Sequence, residues 1–117
     1  MLKNILICDD EEGIRESLNL ILEKDFNLFF AANSQEAVSI IKTKPIDIVL
    51  LDIKMPRVSG LDTLKELKLA KPDLKVIIAT GYKSVETARE AVRLGATDYI
   101  IKPFDSKQVL KAVKKHA

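Results

Sequence analysis

Chemically active side chains stand directly after four apolar runs of this 117-residue sequence. Asp9 and Asp10 follow ILIC, Asp52 follows IVLL, Thr80 follows VIIA and Lys102 follows YII. Three carboxylates that come close together need a counter-ion, because like charges repel and a buried charge is costly. Carboxylate oxygens suit Mg²⁺, which takes few protein carboxylates and often completes its shell with phosphate. The set therefore indicates a cation site beside a hydroxyl and a lysine.

A carboxylate with a divalent cation, a lysine and a hydroxyl around it suits phosphoryl transfer. The carboxylate would attack phosphorus in line while the positive groups neutralise the other phosphoryl oxygens, giving an aspartyl phosphate. Each residue alone has a plainer interpretation, since paired acids often cap helices, a Thr-Gly pair often forms a turn and a lone lysine is usually solvated. Convergence of all of them on one sheet edge favours the chemical interpretation.

Short β-rich runs alternate with helical stretches along the chain. The predicted strands are Ile5–Cys8, Leu28–Ala31, Ile48–Leu51, Val76–Ala79 and Tyr99–Ile101. The first, third and fourth are apolar throughout, which is typical of strands covered on both faces. The stretches between them carry apolar residues at helical spacing: Ile14, Leu18, Ile21 and Leu22; Ala37, Val38, Ile40 and Ile41; Leu61, Leu64 and Leu67; Val85, Ala88, Ala91 and Val92; Val109, Leu110 and Val113.

Signals for helix ends agree with this division. Asn33 begins a pattern that resembles a capping box, and Ser34 is a rival cap. Asp105 or Ser106 can cap the last helix.

Strict alternation of strand and helix predicts an α/β fold with a parallel sheet and right-handed crossovers. Five strands are too few for a closed barrel of eight, so we expect a doubly wound sheet in the order 2-1-3-4-5 with five flanking helices. Strands 1 and 3 are then neighbours, and a ligand crevice opens at their carboxyl ends. We expect Asp9, Asp10 and Asp52 to meet there. Glu11 and Glu12 are expected to begin the first helix, where negative charge complements the helix dipole.

Length and composition predict a single domain over residues 1–117. Hydrophobic residues make up 47% and charged residues 31%. The net charge of +2 is too small to favour nucleic acid as a partner. The single cysteine, Cys8, excludes an internal disulfide and is expected in the core. Since the sequence carries no targeting or membrane-spanning pattern, we expect a cytoplasmic protein without membrane contact.

The sequence resembles the receiver domain of bacterial two-component response regulators (CheY-like, with a flavodoxin-like fold) over essentially its whole length. The resemblance is carried by Asp9-Asp10, VLLDIKMPRVSG (49–60), VIIATGY (76–82) and GATDYIIKPF (95–104). It implies a phosphorylation-activated signalling switch rather than an enzyme acting on an external metabolite, although such domains catalyse their own phosphorylation and dephosphorylation. A sensor histidine kinase would donate the phosphoryl group, and an unidentified downstream protein would receive the signal.

The resemblance also implies roles for individual residues. Asp52 would be the phosphoacceptor. Asp10 and Asp52 would be side-chain ligands of Mg²⁺, for which Mn²⁺ can substitute, with Asp9 acting mainly through water. The backbone carbonyl of Lys54 would complete the protein ligands.

Two further residues would bind the phosphoryl group, and a third would respond to it. Thr80 and Lys102 would contact its oxygens, and Tyr99 matches the aromatic switch position that follows the hydroxyl inward. The face formed by helix 4, strand 5 and helix 5 would carry the signal, from a monomer that can dimerise there when phosphorylated. The bond between Lys102 and Pro103 is expected to be cis.

The resemblance also points to two positions that tune phosphate lifetime, Lys54 and Tyr82. A bulky Tyr82 is expected to shield the acyl phosphate from water and to lengthen its life. The segment TGYKSVETAREAVRLGATDYIIKPF resembles receivers attached to transcriptional activators. The positions of Met1 and of the last predicted helix favour a stand-alone receiver over a fragment of a larger regulator.

Two other classes of protein are alternatives. A phosphatase of the haloacid dehalogenase type also uses an aspartyl nucleophile, but it needs Asp-x-Asp after strand 1, where Asp9 and Asp10 are adjacent. A flavin- or nucleotide-binding domain needs glycine or hydroxyl residues around phosphate at that point. Four consecutive acids would repel a phosphate there.

Overall fold

Strands and helices alternate strictly in the computed structural model, which describes residues 2–54, 60–81 and 85–117. The described residues form five strands and five helices: β1 Asn4–Cys8, α1 Glu12–Leu22, β2 Asn27–Ala31, α2 Ser34–Thr43, β3 Ile48–Leu51, α3 Gly60–Ala70, β4 Lys75–Thr80, α4 Val85–Arg93, β5 Asp98–Ile101 and α5 Ser106–His116. Among these helices, none combines the length and apolarity that crossing a membrane requires.

The sheet is parallel with the order β2-β1-β3-β4-β5, which confirms the predicted fold. Its register brings the carboxyl ends of β1 and β3 level, with Cys8 opposite Leu51, and those of β4 and β5 level, with Thr80 opposite Ile101. The ladder continues one residue past β3, because the Asp52 N–H donates to the Cys8 carbonyl (3.0 Å). The side chains that follow β1 and β3 therefore start from the same edge.

Helices cover both faces of the sheet, so successive strand residues pack into two different layers. Leu6 belongs to the layer under α2, α3 and α4, and Ile7 to the layer under α1 and α5. The four residues of β3 are all buried for this reason. Two-sided cover is the physical cause of the unbroken apolar runs in the sequence.

The structure selects one residue from each pair of rival caps. Asn33 caps α2 and accepts a hydrogen bond from the Glu36 N–H (2.9 Å), while the Glu36 carboxylate accepts from the Ala32 N–H (2.8 Å). Asp105 caps α5 and forms a complete capping box with Gln108. In both helices the residue before the serine is the cap, which fixes where the preceding strand-to-helix turn ends and the helix begins.

The predicted apolar stripe of α4 is wrong in part. Ala91 is buried, but Val85 is 64% and Val92 is 61% exposed. Successive helix residues differ by about 100° around the axis, and the buried side of α4 is centred on Ala91 and supported by Leu94. Both valines lie about a quarter-turn or more from that side and face solvent.

Candidate functional site

The carboxyl edge of the sheet gathers most of the side chains that the sequence singled out. Asp9 follows β1 and is 2% exposed, and Asp52 follows β3 and is 3% exposed. Lys102 follows β5, where its N–H donates to the carbonyl of the buried Thr80 at the end of β4 (2.8 Å). Asp10 lies beside Asp9 and is exposed. The strand order thus brings residues from four separate strands to one edge.

Lys102 lies at the centre of this group. Its Nζ is 2.7 Å from Asp9 Oδ2, 3.1 Å from Asp52 Oδ2 and 3.5 Å from Glu11 Oε1. One ammonium therefore contacts three carboxylates, two of which are buried. It is the cation that, among the described residues, keeps these acids together.

Tight turns after β1 and β3 orient the two buried carboxylates. Asp9 Oδ1 accepts a hydrogen bond from the Glu11 N–H (2.9 Å), and Asp52 Oδ1 accepts one from the Lys54 N–H (2.8 Å). In each aspartate, one carboxylate oxygen thus accepts a hydrogen bond from a backbone N–H and the other accepts one from Lys102 Nζ. The side chain of Arg15 also donates to the Asp9 carbonyl (2.7 Å), which ties α1 to this turn.

Burial and charge act against each other at the site. Burial raises the pKa of Asp9, although the hydrogen bond and charge of Lys102 oppose that effect. Burial would lower the pKa of Lys102, but hydrogen bonds and charges from Asp9 and Asp52 outweigh it and leave that pKa above its ordinary value. Lys102 therefore stays charged. Its single positive charge does not balance the negative charges of the three carboxylates that it contacts.

Cys8 lies under the site as a core residue, as predicted. Its side chain is buried, and burial, reinforced by the neighbouring charge of Asp9, raises the pKa of its thiol to about 12. A thiol with so high a pKa is unreactive at neutral pH.

Four acids could together hold a cation. Asp9, Asp10, Glu11 and Asp52 each offer one oxygen, and these four oxygens lie within 4.8 Å of one another. Hard carboxylate oxygens are the donors that Mg²⁺ prefers, so the donor set fits the ion that the sequence indicated.

Glu11 is the member of this group that sequence reasoning missed. The sequence placed it with Glu12 at the helix start, and it is indeed the N-cap residue of α1, but its side chain makes no capping hydrogen bond. It contacts Lys102 instead. Only the acidic run itself could have signalled this, because a run of four acids exceeds what one helix start needs.

The remaining predicted residues lie around the group. Tyr99 is half-buried in β5 against the core, and burial, with a smaller effect from the Asp52 charge, raises the pKa of its hydroxyl. The Lys102–Pro103 peptide bond is cis. Tyr82 lies outside the described residues, so its proposed shielding of the phosphate stays a prediction.

A model of the response regulator receiver domain matches residues 5–114. The chain belongs to this family. Receiver domains are phosphorylation-activated switches of two-component signalling systems, and this chain is such a switch. This family is the one that the sequence resembles. It is neither the haloacid dehalogenase phosphatases nor the flavin- or nucleotide-binding domains that were the alternatives.

Two known proteins are similar to this receiver domain over nearly their whole length. It is 39% identical over 117 residues to sporulation initiation phosphotransferase F of Bacillus subtilis, covering 99% of this chain and 94% of that protein. A CheY-like receiver domain structure from Methanospirillum hungatei is 34% identical with a TM-score of 0.94, covering 98% and 93% of the two chains.

A third relative is a response regulator of Burkholderia pseudomallei, whose crystal structure contains a phosphorylated aspartic acid, a calcium ion and citrate. It is 32% identical with a TM-score of 0.88, covering 94% of this chain and 65% of that one. Other curated relatives are longer regulatory proteins, and the receiver domain spans 23–26% of their length.

Proposed function

We propose that Asp52 accepts a phosphoryl group from a phosphohistidine of a sensor kinase. An Asp52 carboxylate oxygen attacks phosphorus, the new O–P bond forms, and the P–N bond breaks with its electron pair passing to the histidine nitrogen. The observation that carries the proposal is the position of Asp52, buried at the end of a central strand with Lys102 Nζ 3.1 Å from Oδ2. The phosphorylated aspartic acid of the Burkholderia relative supports it.

Lys102 and Thr80 are proposed to bind the phosphoryl oxygens. Lys102 already contacts the attacking carboxylate, so it can follow the negative charge as that charge spreads onto the phosphoryl group. Thr80 ends the neighbouring strand and offers a hydroxyl from a fully buried position. Both side chains begin at adjacent points of the same edge, which favours their joint action.

A divalent cation is proposed to complete the site, held by the side chains of Asp10 and Asp52, by Asp9 mainly through water, and by the backbone carbonyl of Lys54. Receiver domains generally bind Mg²⁺ at an acidic pocket, and the four clustered carboxylates provide one here. When bound, Mg²⁺ supplies positive charge that stabilises the phosphoryl oxygens; Mn²⁺ is the expected substitute.

The face formed by α4, β5 and α5 is proposed to pass the signal to a downstream protein. Tyr99 supports this proposal, because it lies on β5 and the charge of Asp52 adds to the burial that raises the pKa of its hydroxyl. The exposed Val85 and Val92 of α4 would contribute apolar contact area to that partner or to a second copy. We also propose that residues 1–117 act as one domain in the cytoplasm. This domain would not act as an enzyme on external substrates, and it would not bind membranes or nucleic acid directly.

Intact-mass measurement after mixing the protein with acetyl phosphate and Mg²⁺ tests the role of Asp52. We expect the mass of one phosphoryl group to be added, and neither Asp52→Ala nor a sample with a chelator should gain it. The matched control is Asp47→Ala, since Asp47 immediately precedes β3, at the opposite end of that strand from Asp52, and should leave the gain unchanged. A gain that survives Asp52→Ala would refute the assignment.

A further inference from the structure

Glu11 has a side chain that the start of α1 does not explain. Helix N-caps are usually short residues whose oxygens accept from the first turn, whereas Glu11 makes no such bond. Its backbone is held by other contacts: its N–H donates to Asp9 Oδ1 (2.9 Å), and its carbonyl accepts from the Arg15 N–H (3.1 Å). The carboxylate is therefore free of any capping role while its backbone position is fixed.

The Glu11 carboxylate approaches Lys102 from the solvent side. Its side chain is 63% exposed, whereas those of Asp9 and Asp52, the other two partners of the ammonium, are each 3% exposed. The contact of 3.5 Å is longer than the two buried contacts. Glu11 thus stands at the mouth of the site, where a phosphoryl group would enter, and it shares the lysine with the acceptor carboxylate.

An arriving phosphoryl group would meet Glu11 with unfavourable charge. The group is anionic, so the Glu11 carboxylate repels it, and it needs the same ammonium that Glu11 contacts. Asp9 and Asp52 cannot act in this way, because they belong to the proposed cation and acceptor groups. Both effects of Glu11 have the same sign and oppose phosphoryl binding.

We propose that Glu11 is a positioning residue for Lys102: it holds the ammonium at the mouth of the unphosphorylated site and competes with the phosphoryl group for it. The inference rests on the proposed role of Asp52 and adds a residue to it. Glu11 would weaken the phosphorylated state and thereby shorten the signal.

Binding of beryllofluoride, an anionic phosphoryl mimic, tests the competition with Glu11→Gln. Glu12→Gln is the matched control, since it removes the same charge from the neighbouring residue, for which no contact with Lys102 is described. Mg²⁺ affinity is measured first, so that all proteins are compared at saturating Mg²⁺, and mimic binding is then followed by calorimetry and by amide NMR shifts. We expect Glu11→Gln to bind the mimic about two- to fivefold more tightly, the range expected for an exposed ion pair.

The sign of the effect separates this role from a structural one. A variant that merely disturbed the turn after β1 would bind the mimic more weakly, and that result, or an affinity equal to that of the wild type, would overturn the proposal. Equal tightening by Glu12→Gln would also overturn it, because bulk charge would then be the cause. Failure of the wild-type protein itself to bind the mimic would count against the proposed function of Asp52 instead.

Discussion

At the scale of single residues, four consecutive acids have four different environments. Asp9 is buried on Lys102, Asp10 is exposed beside it, Glu11 caps α1 through its backbone alone, and Glu12 begins the helix. The sequence predicted the meeting of the aspartates, because strand order alone brings them to one edge. It could not predict the contact of Glu11, because the direction of that side chain depends on the turn that the Asp9 carboxylate closes onto the Glu11 N–H.

The division between cation ligand and helix start is testable with Asp10→Ala and Glu12→Ala. We expect Asp10→Ala to lower Mg²⁺-dependent phosphorylation by about 100-fold or more, since even groups that only support a metal ligand contribute roughly 10–100-fold. Glu12→Ala removes an equal charge at the first residue of α1 and should retain nearly the wild-type rate. Rates come from intact mass against time with acetyl phosphate, and similar losses in both variants would contradict the division.

At the scale of elements, the strands were predicted to within a residue at each end. In β1, β3 and β4 burial on both faces gives an unbroken apolar run, whereas β2 and β5 are only partly buried and were predicted from their β-forming residues. Helix starts were ambiguous, since neighbouring Asp105 and Ser106 are both good caps by type. The structure resolves this through Asp105, whose carboxylate accepts from the Gln108 N–H (2.8 Å). Only the backbone conformation of the turn, extended at Asp105, decides between them.

The cap assignment predicts unequal effects of two neighbouring substitutions. Asp105→Ala should lower the free energy of unfolding by about 1 kcal/mol, because an orphan N–H in the first turn of α5 loses its acceptor. Ser106→Ala should change it by less than about 0.5 kcal/mol, as is usual for surface positions. Urea unfolding followed by circular dichroism measures both, and a larger loss from Ser106→Ala would reverse the assignment.

Helix α4 shows where periodicity alone fails. The sequence predicted an apolar stripe of Val85, Ala88, Ala91 and Val92, yet of these four only Ala91 is buried. A hydrophobic pattern shows which residues are apolar. It does not distinguish the helix face that packs in the core from an apolar face that is exposed to solvent.

Matched valine truncations test this picture of α4. Val92→Ala, at a side chain that is 61% exposed, should change the free energy of unfolding by less than about 0.5 kcal/mol. Val113→Ala, in the core between α5 and the sheet, should lower it by about 2 kcal/mol. Chemical denaturation of the two proteins under identical conditions gives the comparison, and equal losses would show that Val92 is buried in solution.

At the scale of the whole molecule, folding of the sheet brings several acids together at its carboxyl edge. The proposed function needs these acids there, but their burial and mutual repulsion lower the stability of the folded chain. The core supplies the burial that raises the pKa of Asp9. Residues distant in sequence, such as Asp9 and Lys102, meet only after β1 and β5 have joined one sheet. Sequence could give their proximity, whereas the balance between burial and charge required the packed structure.

This competition predicts a specific pH dependence of stability without a cation. Because the pKa of Asp9 is raised in the folded chain, the unfolded chain releases the proton first as pH rises above the ordinary value of 3.8. The folded chain then holds more protons, so the contribution of Asp9 to the free energy of unfolding falls with rising pH until folded Asp9 has also ionised. Asp9→Asn removes this contribution.

Urea midpoints in chelator, measured at intervals from pH 4 to neutrality, give the difference between wild type and Asp9→Asn. We expect that difference to move against the wild type as pH rises and to become constant above the pKa of folded Asp9. Added Mg²⁺ should raise the wild-type midpoint, because a ligand of the folded state stabilises it by RT ln(1 + [L]/Kd). The variant, which lacks one proposed ligand, should gain less. A difference that favours the wild type increasingly with pH would mean that Lys102, and not burial, dominates the ionisation of Asp9.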